Sequence, residues 1–297
     1  MSLKLDIVIL GLSITSSWGN GHATTYRGLV RELINRGHQV TFLERDLPWY
    51  VANRDLSKSD FGRTYLYQDL DELRDRFGAT VSDADVVVIG SYVTDGIEIA
   101  EWALARARGV KAFYDIDTPV TFAQLRQKRC NYLSAELIPR FDLYFSFTGG
   151  PVLNELEENF GSPAARPLYC SVDPEKYFPE KRVRDLDLGY MGTYSPDRQP
   201  ALEKLLLKPA RRWRQGRFEV VGPQYPADTR WPLNVFRVEH LPPDSHRVFY
   251  NRQRFNSQSH SLRYDPRRIF SERPAFRSGR MRYSDYQRLV ERSRYFL

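Results

Sequence analysis

The chain has 297 residues, 41% hydrophobic and 13% aromatic, with 44 Lys and Arg against 37 Asp and Glu for a net charge of +7. That length holds two domains of ordinary size, and that apolar content excludes global disorder. Two cysteines, Cys130 and Cys170, make no disulfide framework and no metal-ligand spacing, and the short apolar run in "MSLKLDIVIL" is neither a signal h-region nor a membrane span, so a soluble, cytoplasmic setting is expected.

"LDIVILG" (5–11) is a nearly continuous apolar run, which a parallel strand buried on both faces requires. After the loop "SSWGNGH" (16–22), Leu29, Val30, Leu33 and Ile34 have helical spacing, closed by Gly37. "QVTFLERD" (39–46) is the next strand, completing a βαβ unit. The alternation continues with strands over 83–91, 110–117, 141–147 and 166–173, and helices over 95–109, 118–127 and 150–161. This order predicts a parallel sheet covered by helices on both faces.

"PEKYFPEKRVRDLD" (174–187) breaks the pattern with two prolines and a charge cluster, as a linker does. A second α/β unit then starts, with strands over 187–193, 217–223 and 235–242 and a helix over 195–213. The expected organisation is 1–173 as an N-terminal domain, 174–186 as linker, 187–255 as a partial second domain, and 256–297 as an aberrant Arg-rich tail.

Ligands of open α/β sheets bind beyond the carboxyl ends of the strands, so the loops after the strands are the candidate sites. In the first, Ser17, Gly19, Asn20 and Gly21 offer close backbone approach at a helix N-terminus that attracts oxyanions. His22 sits where a general base reaches an acceptor hydroxyl; the competing reading has His22 and Asn20 simply capping the helix. Asp115 and Asp117 end a strand beside a helix start, where they position a hydroxyl or accept a proton, or where Asp117 or Thr118 is an N-cap. In the second unit, Gly192 and Thr193 precede a helix whose first turn carries Arg198, a candidate diphosphate clamp or an exposed surface arginine. Gly222 ends the following strand in the same way. Gly11, Gly19 and Gly21 miss the G-x-G-x-x-G spacing, although Glu44 and Asp46 stand where a dinucleotide fold holds its ribose-binding acid. Trp18, Trp49 and Tyr50 read as core or rim aromatics.

"LDIVILGLSITSSWGNGHATTYRGLVRELINRGHQVTFLERDLPWY", "FYDIDTPVTF", "CSVDPEKYFP" and "LGYMGTYSPDRQPALEKLL" together resemble glycosyltransferases of the two-domain GT-B type, closest to the bacterial CgeB-like group, over about residues 5–255. The resemblance implies two tandem Rossmann-like domains, the second incomplete, and transfer of a sugar (a hexosyl or other glycosyl group) from a nucleotide-sugar donor to an unknown acceptor. By this likeness the first domain, with His22, Asp115 and Asp117 as catalytic candidates, faces the acceptor. The second holds the donor nucleotide through Gly192, Thr193, Arg198 and Gly222. No cofactor or metal is implied, the nucleotide sugar being a substrate. A non-catalytic or dinucleotide-binding Rossmann-like protein is the alternative.

Residues 256–297 carry ten Arg, no Lys and four acids, a net +6, so residues 1–255 carry 34 bases against 33 acids, a net of +1. The family's E-A-x-A-C-G-x-P-x-I-S motif, whose Glu contacts the donor ribose, is absent here. Read one nucleotide out of register, "PAFRSGRMRYSDYQR" (274–288) can spell R-L-F-E-A-G-A-C-G-T-P-I-I-S-D, with the Cys forced at Met281. A shifted frame is therefore the expected origin of the arginines, with donor binding impaired and no nucleic-acid partner; a basic tail binding a polyanion is the competing reading.

Overall fold

The Ile-, Val- and Leu-rich run at the start folds as strand β1 (Asp6–Gly11), buried from Ile7 onward. In the computed structural model the described residues are 3–17, 20–51, 53–56, 62–175, 178, 184–222, 224–238 and 293–296. The chain divides into two compact units, Met1–Lys176 and Tyr177–Leu297.

In the first unit β1 leads to α1 (His22–Asn35), β2 (Gln39–Arg45), the short α2 (Pro48–Val51), β3 (Arg63–Tyr67), α3 (Leu70–Asp83) and β4 (Val86–Gly90). Then come α4 (Gly96–Arg106), β5 (Val110–Asp115), α5 (Thr118–Arg126), a 3-10 turn at Ala135–Arg140, β6 (Leu143–Ser146), α6 (Pro151–Glu158) and β7 (Ala165–Pro167). Seven strands pair in the order β3-β2-β1-β4-β5-β6-β7, every ladder parallel. The chain winds outward in both directions from β1 and β4, so the crevice of a doubly wound sheet opens at their carboxyl ends.

Alternate residues of one strand feed opposite cores. Val8 and Leu10 pack with Leu43, Val87, Ile89 and Phe113 on one face. Ile7 and Ile9 pack with Val30, Val40, Phe42 and Tyr26 on the other. Gly37 closes α1 with φ +90°, and the following amides turn back to the helix, Gly37 N–H to the Ile34 carbonyl (2.8 Å) and His38 N–H to that of Leu33 (3.1 Å).

Among the elements not foreseen are β3 and α3. Strand β3 buries only Tyr67, because it lies at the sheet edge with one flank unpaired in this sheet. Helix α3 is capped reciprocally: Asp69 Oδ1 accepts from Glu72 N–H (2.9 Å) while Glu72 Oε2 accepts from Gln68 N–H (2.7 Å). The strand foreseen over 166–173 shortens to β7, and the chain after it crosses α1 where Gly28 leaves room. A Cβ on Gly28 would lie 3.0 Å from the Val172 carbonyl carbon.

In the second unit β8 (Leu186–Met191) is followed by α7 (Gln199–Leu202), a π-helical segment Glu203–Leu207, α8 (Lys208–Arg212), β9 (Phe218–Val221), β10 (Val235–Val238) and β11 (Ser293–Phe296). Leu202, Leu206, Leu207 and Ala210 pack on Phe218, Val220 and Val235. The parallel order β10-β9-β8-β11 repeats the β3-β2-β1-β4 winding of the first unit. Most of the Arg-rich tail lies outside the described residues, yet Ser293–Phe296 pairs with β8 from Leu186 to Gly189. Ladder hydrogen bonds come from the backbone, which charge composition does not reveal.

Tyr26 of α1 lies wedged between Phe42 (5.1 Å) and Tyr114 (6.1 Å) at the strand tips, and a Cβ on Gly90 would fall 1.9 Å from its hydroxyl oxygen. Overpacking of this kind costs ~1–3 kcal/mol. Gly90→Ala is therefore expected to lower the urea midpoint of unfolding with an unchanged m-value.

Candidate functional site

In the first unit the loop between β1 and α1 is held from below by a single carboxylate. Glu44, at the end of β2, is wholly buried. It accepts from Ser13 Oγ (3.0 Å) and Thr15 Oγ1 (2.6 Å) on one oxygen and from the amides of Ile14 (2.7 Å) and Thr15 (2.9 Å) on the other. Glu44 is the acid that a dinucleotide fold turns toward a ribose, and here both oxygens are taken by its own loop. That removes the sequence feature behind the dinucleotide alternative. Asp46 is likewise occupied, by Arg54 and by Gln68 Nε2 (3.3 Å).

A second clamp closes the outer end of the loop. Asp55 accepts from Arg27 (2.7 and 3.3 Å) and from the Ser17 amide (3.2 Å) and hydroxyl, while Arg27 Nε donates to the Ile14 carbonyl (2.8 Å). Burial works against ionisation of Asp55, but Arg27 and Ser17 outweigh it and hold the carboxyl below its usual range. Ser17 is therefore spent on the scaffold. Trp18 and Gly19 lie outside the described residues.

Asn20 caps α1 through its side chain, Oδ1 accepting from Ala23 N–H (3.1 Å). Gly21, the N-cap residue, has open space where a Cβ would be, so a ligand can approach the backbone there. His22 opens the helix at 9% exposure, with its Nδ1 buried and without a hydrogen-bond partner. Burial pushes its pKa down to about 4, so near neutral pH the imidazole is neutral, the form a general base needs.

The two acids after β5 separate in role. Asp115 is fully buried and accepts from Tyr144 O–H (2.6 Å), the Asp117 amide (2.9 Å) and Thr121 Oγ1 (2.9 Å). Burial raises its pKa against these bonds. With no exposed surface it anchors the strand tip and meets no acceptor, which corrects its expected catalytic role. Asp117 is half-buried, makes no side-chain cap, and accepts from the Tyr92 hydroxyl on Oδ2 (3.0 Å). Tyr92 also stands edge-on to His22, ring centroids 5.5 Å apart. The structure thus joins His22 and Asp117 through a tyrosine that the sequence reading passed over. Its loop follows β4, so the rule of strand carboxyl ends would have found it.

In the second unit Gly192 and Gly222 meet at the tips of β8 and β9. Gly222 has φ +146°, and a Cβ there would lie 2.1 Å from the Gly192 carbonyl oxygen. Tyr225 donates its hydroxyl to that same oxygen (3.2 Å). Below them Arg237 of β10, 4% exposed, donates to the carbonyls of Val220 (2.9 Å) and Gly222 (3.0 Å) under the rings of Tyr225 and Trp231. This buried cation, also unforeseen, ties β9 to its glycine. Thr193 is half-buried beside the pair, and Arg198 is exposed at the N-cap of α7.

A concavity lined by Asp83, Asp85, Arg108, Lys111 and Asp142 opens at the amino ends of β4 and β5, away from these loops. Its cations face Asp83 and Asp142 at 3.6 Å, so it is a solvated surface cleft. Among the described residues no cluster of His, Cys, Asp or Glu is placed to hold a metal ion, and no helix is long and apolar enough to cross a membrane.

Residues 198–281 match the "Glycosyl transferase-like" family model. The match begins at Arg198 and takes in β9 and β10. No curated protein matches the sequence. Among solved structures, an α-glucosyltransferase in complex with UDP and a 13-mer DNA is similar at TM-score 0.50 and 17% identity, over 75% of this chain and 58% of that one. The catalytic domain of starch synthase IV from Arabidopsis thaliana, bound to ADP and acarbose, follows at TM-score 0.48 and 12% identity, over 74% and 69%. The chain thus spans 58% of the length of the glucosyltransferase. At that identity the likeness is one of fold: α/β units with parallel sheets, as in GT-B proteins.

The sign of the His22 effect on stability follows from its lowered pKa. Between about 6.5 and about 4 the unfolded chain binds a proton that the folded chain does not, so stability falls as pH drops through that window. His22→Gln is expected to flatten this acid limb, read from denaturant midpoints at pH 7 and pH 4.5.

Proposed function

We propose that this protein belongs to a lineage that transfers a sugar, hexosyl or other glycosyl, from a nucleoside-diphosphate sugar to a hydroxyl acceptor. The observation that carries the reading is the glycosyl transferase-like match over 198–281, falling on the unit where Gly192 and Gly222 lie back to back at the strand tips. In this reading the close-packed turns at Gly192, Thr193 and Gly222 hold the donor diphosphate at the strand tips and Arg198 neutralises it. Stabilising charge on the departing nucleoside diphosphate is the main catalytic contribution. In the first unit Gly21 leaves the acceptor room, neutral His22 takes the proton of its attacking hydroxyl, and Asp117 orients that hydroxyl. The nucleotide sugar enters as substrate, with no cofactor, in a cytoplasmic setting. The near-neutral balance of residues 1–255 argues against nucleic acid as acceptor.

Calorimetric titration with UDP-, GDP- and ADP-sugars against NAD tests this. At least one nucleotide sugar is expected to bind, about tenfold more weakly to Arg198→Ala, while NAD gives no heat. Binding of NAD with every nucleotide sugar silent would return the dinucleotide reading.

The CgeB-like resemblance and the shifted frame belong to the same proposal. The donor-ribose motif is then encoded but not translated, and this chain transfers poorly. The family match runs through Met281, past Phe255, and so weighs against a shift at that point; the gene sequence across codon 255 decides the matter. A frame-restored protein is expected to turn over donor faster than this chain. Equal turnover by the two forms would leave the arginines as a genuine tail.

A further inference from the structure

Three contacts converge on Tyr92, in the loop between β4 and α4. Its backbone is left-handed at φ +63°, a conformation that a bulky residue rarely adopts and that persists only where the surroundings impose it. Asp95, at the other end of the same loop, is also left-handed at φ +56°. The Tyr92 ring packs on Tyr132 at 4.6 Å and stands at 88° to the His22 ring. Tyr132 is bound in turn to Thr121 (2.8 Å), which donates to Asp115. The strained residue is therefore fixed from behind by the buried Asp115 network, and it presents ring and hydroxyl to two different side chains at the strand tips.

We propose that Tyr92 is a positioning residue for the acceptor-hydroxyl site: its ring walls off one flank of His22, and its hydroxyl fixes Asp117, so that both side chains bear on one hydroxyl-bearing ligand. This rests on the transfer reading above. The orphaned, buried Nδ1 of His22 shows that the imidazole is held by packing and not by a hydrogen bond to that atom. Among the described residues, the titratable groups in ring contact with it are Tyr26 on its own helix (6.3 Å) and Tyr92 across the crevice, with Asp117 reached through the Tyr92 hydroxyl. An Asn at position 92 tolerates the left-handed backbone but has no ring, and a Phe keeps the ring without the hydroxyl. The two variants therefore separate the two contacts.

The test follows the His22 Cε1–H resonance through a pH titration of the full chain, assigned with His22→Gln. Tyr92→Phe is expected to leave the His22 midpoint in place, and Tyr92→Asn to raise it by about one pH unit as water reaches the ring. With a nucleotide-sugar donor, Tyr92→Phe is expected to lower kcat about tenfold at unchanged donor KM and a thermal midpoint close to that of the unaltered chain. A His22 midpoint unmoved in Tyr92→Asn, or full turnover by Tyr92→Phe, would overturn the proposal. If the unaltered chain turns over no nucleotide sugar, turnover is read on the frame-restored protein, whose inactivity would end the transfer reading, and the two midpoints still decide whether Tyr92 positions His22. If Tyr92→Asn does not fold, the Phe variant's midpoint decides: a shift with the ring retained would overturn the assignment.

Discussion

Four hydrogen bonds to one buried carboxylate set the geometry on which the first unit's site depends. A carboxylate without solvent is costly unless its lone pairs are filled, so the protein cannot lose the Ser13–Thr15 contacts to Glu44 without leaving that group uncompensated. That cost holds Ser13–Thr15 against Glu44. Further on, Asn20 accepts from the Ala23 amide at the start of α1, and His22 opens the helix that follows β1. The Arg27–Asp55 pair repeats the device at the loop's outer end, where solvent screening makes it weaker.

The second unit solves a similar problem with the opposite charge. Arg237 is buried beneath the strand tips, and its guanidinium fork matches the two carbonyls of Val220 and Gly222, while two aromatic faces cover the cation. The result is a fixed turn at Gly222, whose φ only glycine holds without strain, pressed against Gly192. In each unit a buried ionisable side chain holds strand-tip backbone from below, Glu44 the Ser13–Thr15 loop and Arg237 the Gly222 turn.

Much of this was legible in order but not in detail. Apolar runs and helical spacing located β1, β2, β4, β5 and β6 to within a few residues, since a strand buried on both faces has little choice of composition. Helix α3 also carried a readable signal, the Asp69–Glu72 capping pair, in a stretch whose charge masked its apolar face. Strand β3 carried almost none, because an edge strand with one buried residue has no pattern to detect. The candidate site divides the same way. Glycines before a helix marked the β1–α1 loop, but the sequence treated Asp115 and Asp117 as equals two positions apart. An unbroken strand would put both on one face, but β5 ends at Asp115, whose carboxyl Tyr144 and Thr121 fill in the core, and the chain turns at Asp117 into α5, which leaves that side chain half-buried.

What the sequence alone determined was the alternation of strands and helices, hence two parallel α/β units with their loops of interest at the strand tips; periodicity is a local property, and it survives without coordinates. What only the tertiary structure decided was which polar side chains face each other across those tips. Glu44 reaches a loop 30 residues away, Tyr92 reaches Asp117 across 25, and Arg237 reaches Val220 across 17. Partnerships at such separations are fixed by strand order and register, which no stretch of local sequence encodes.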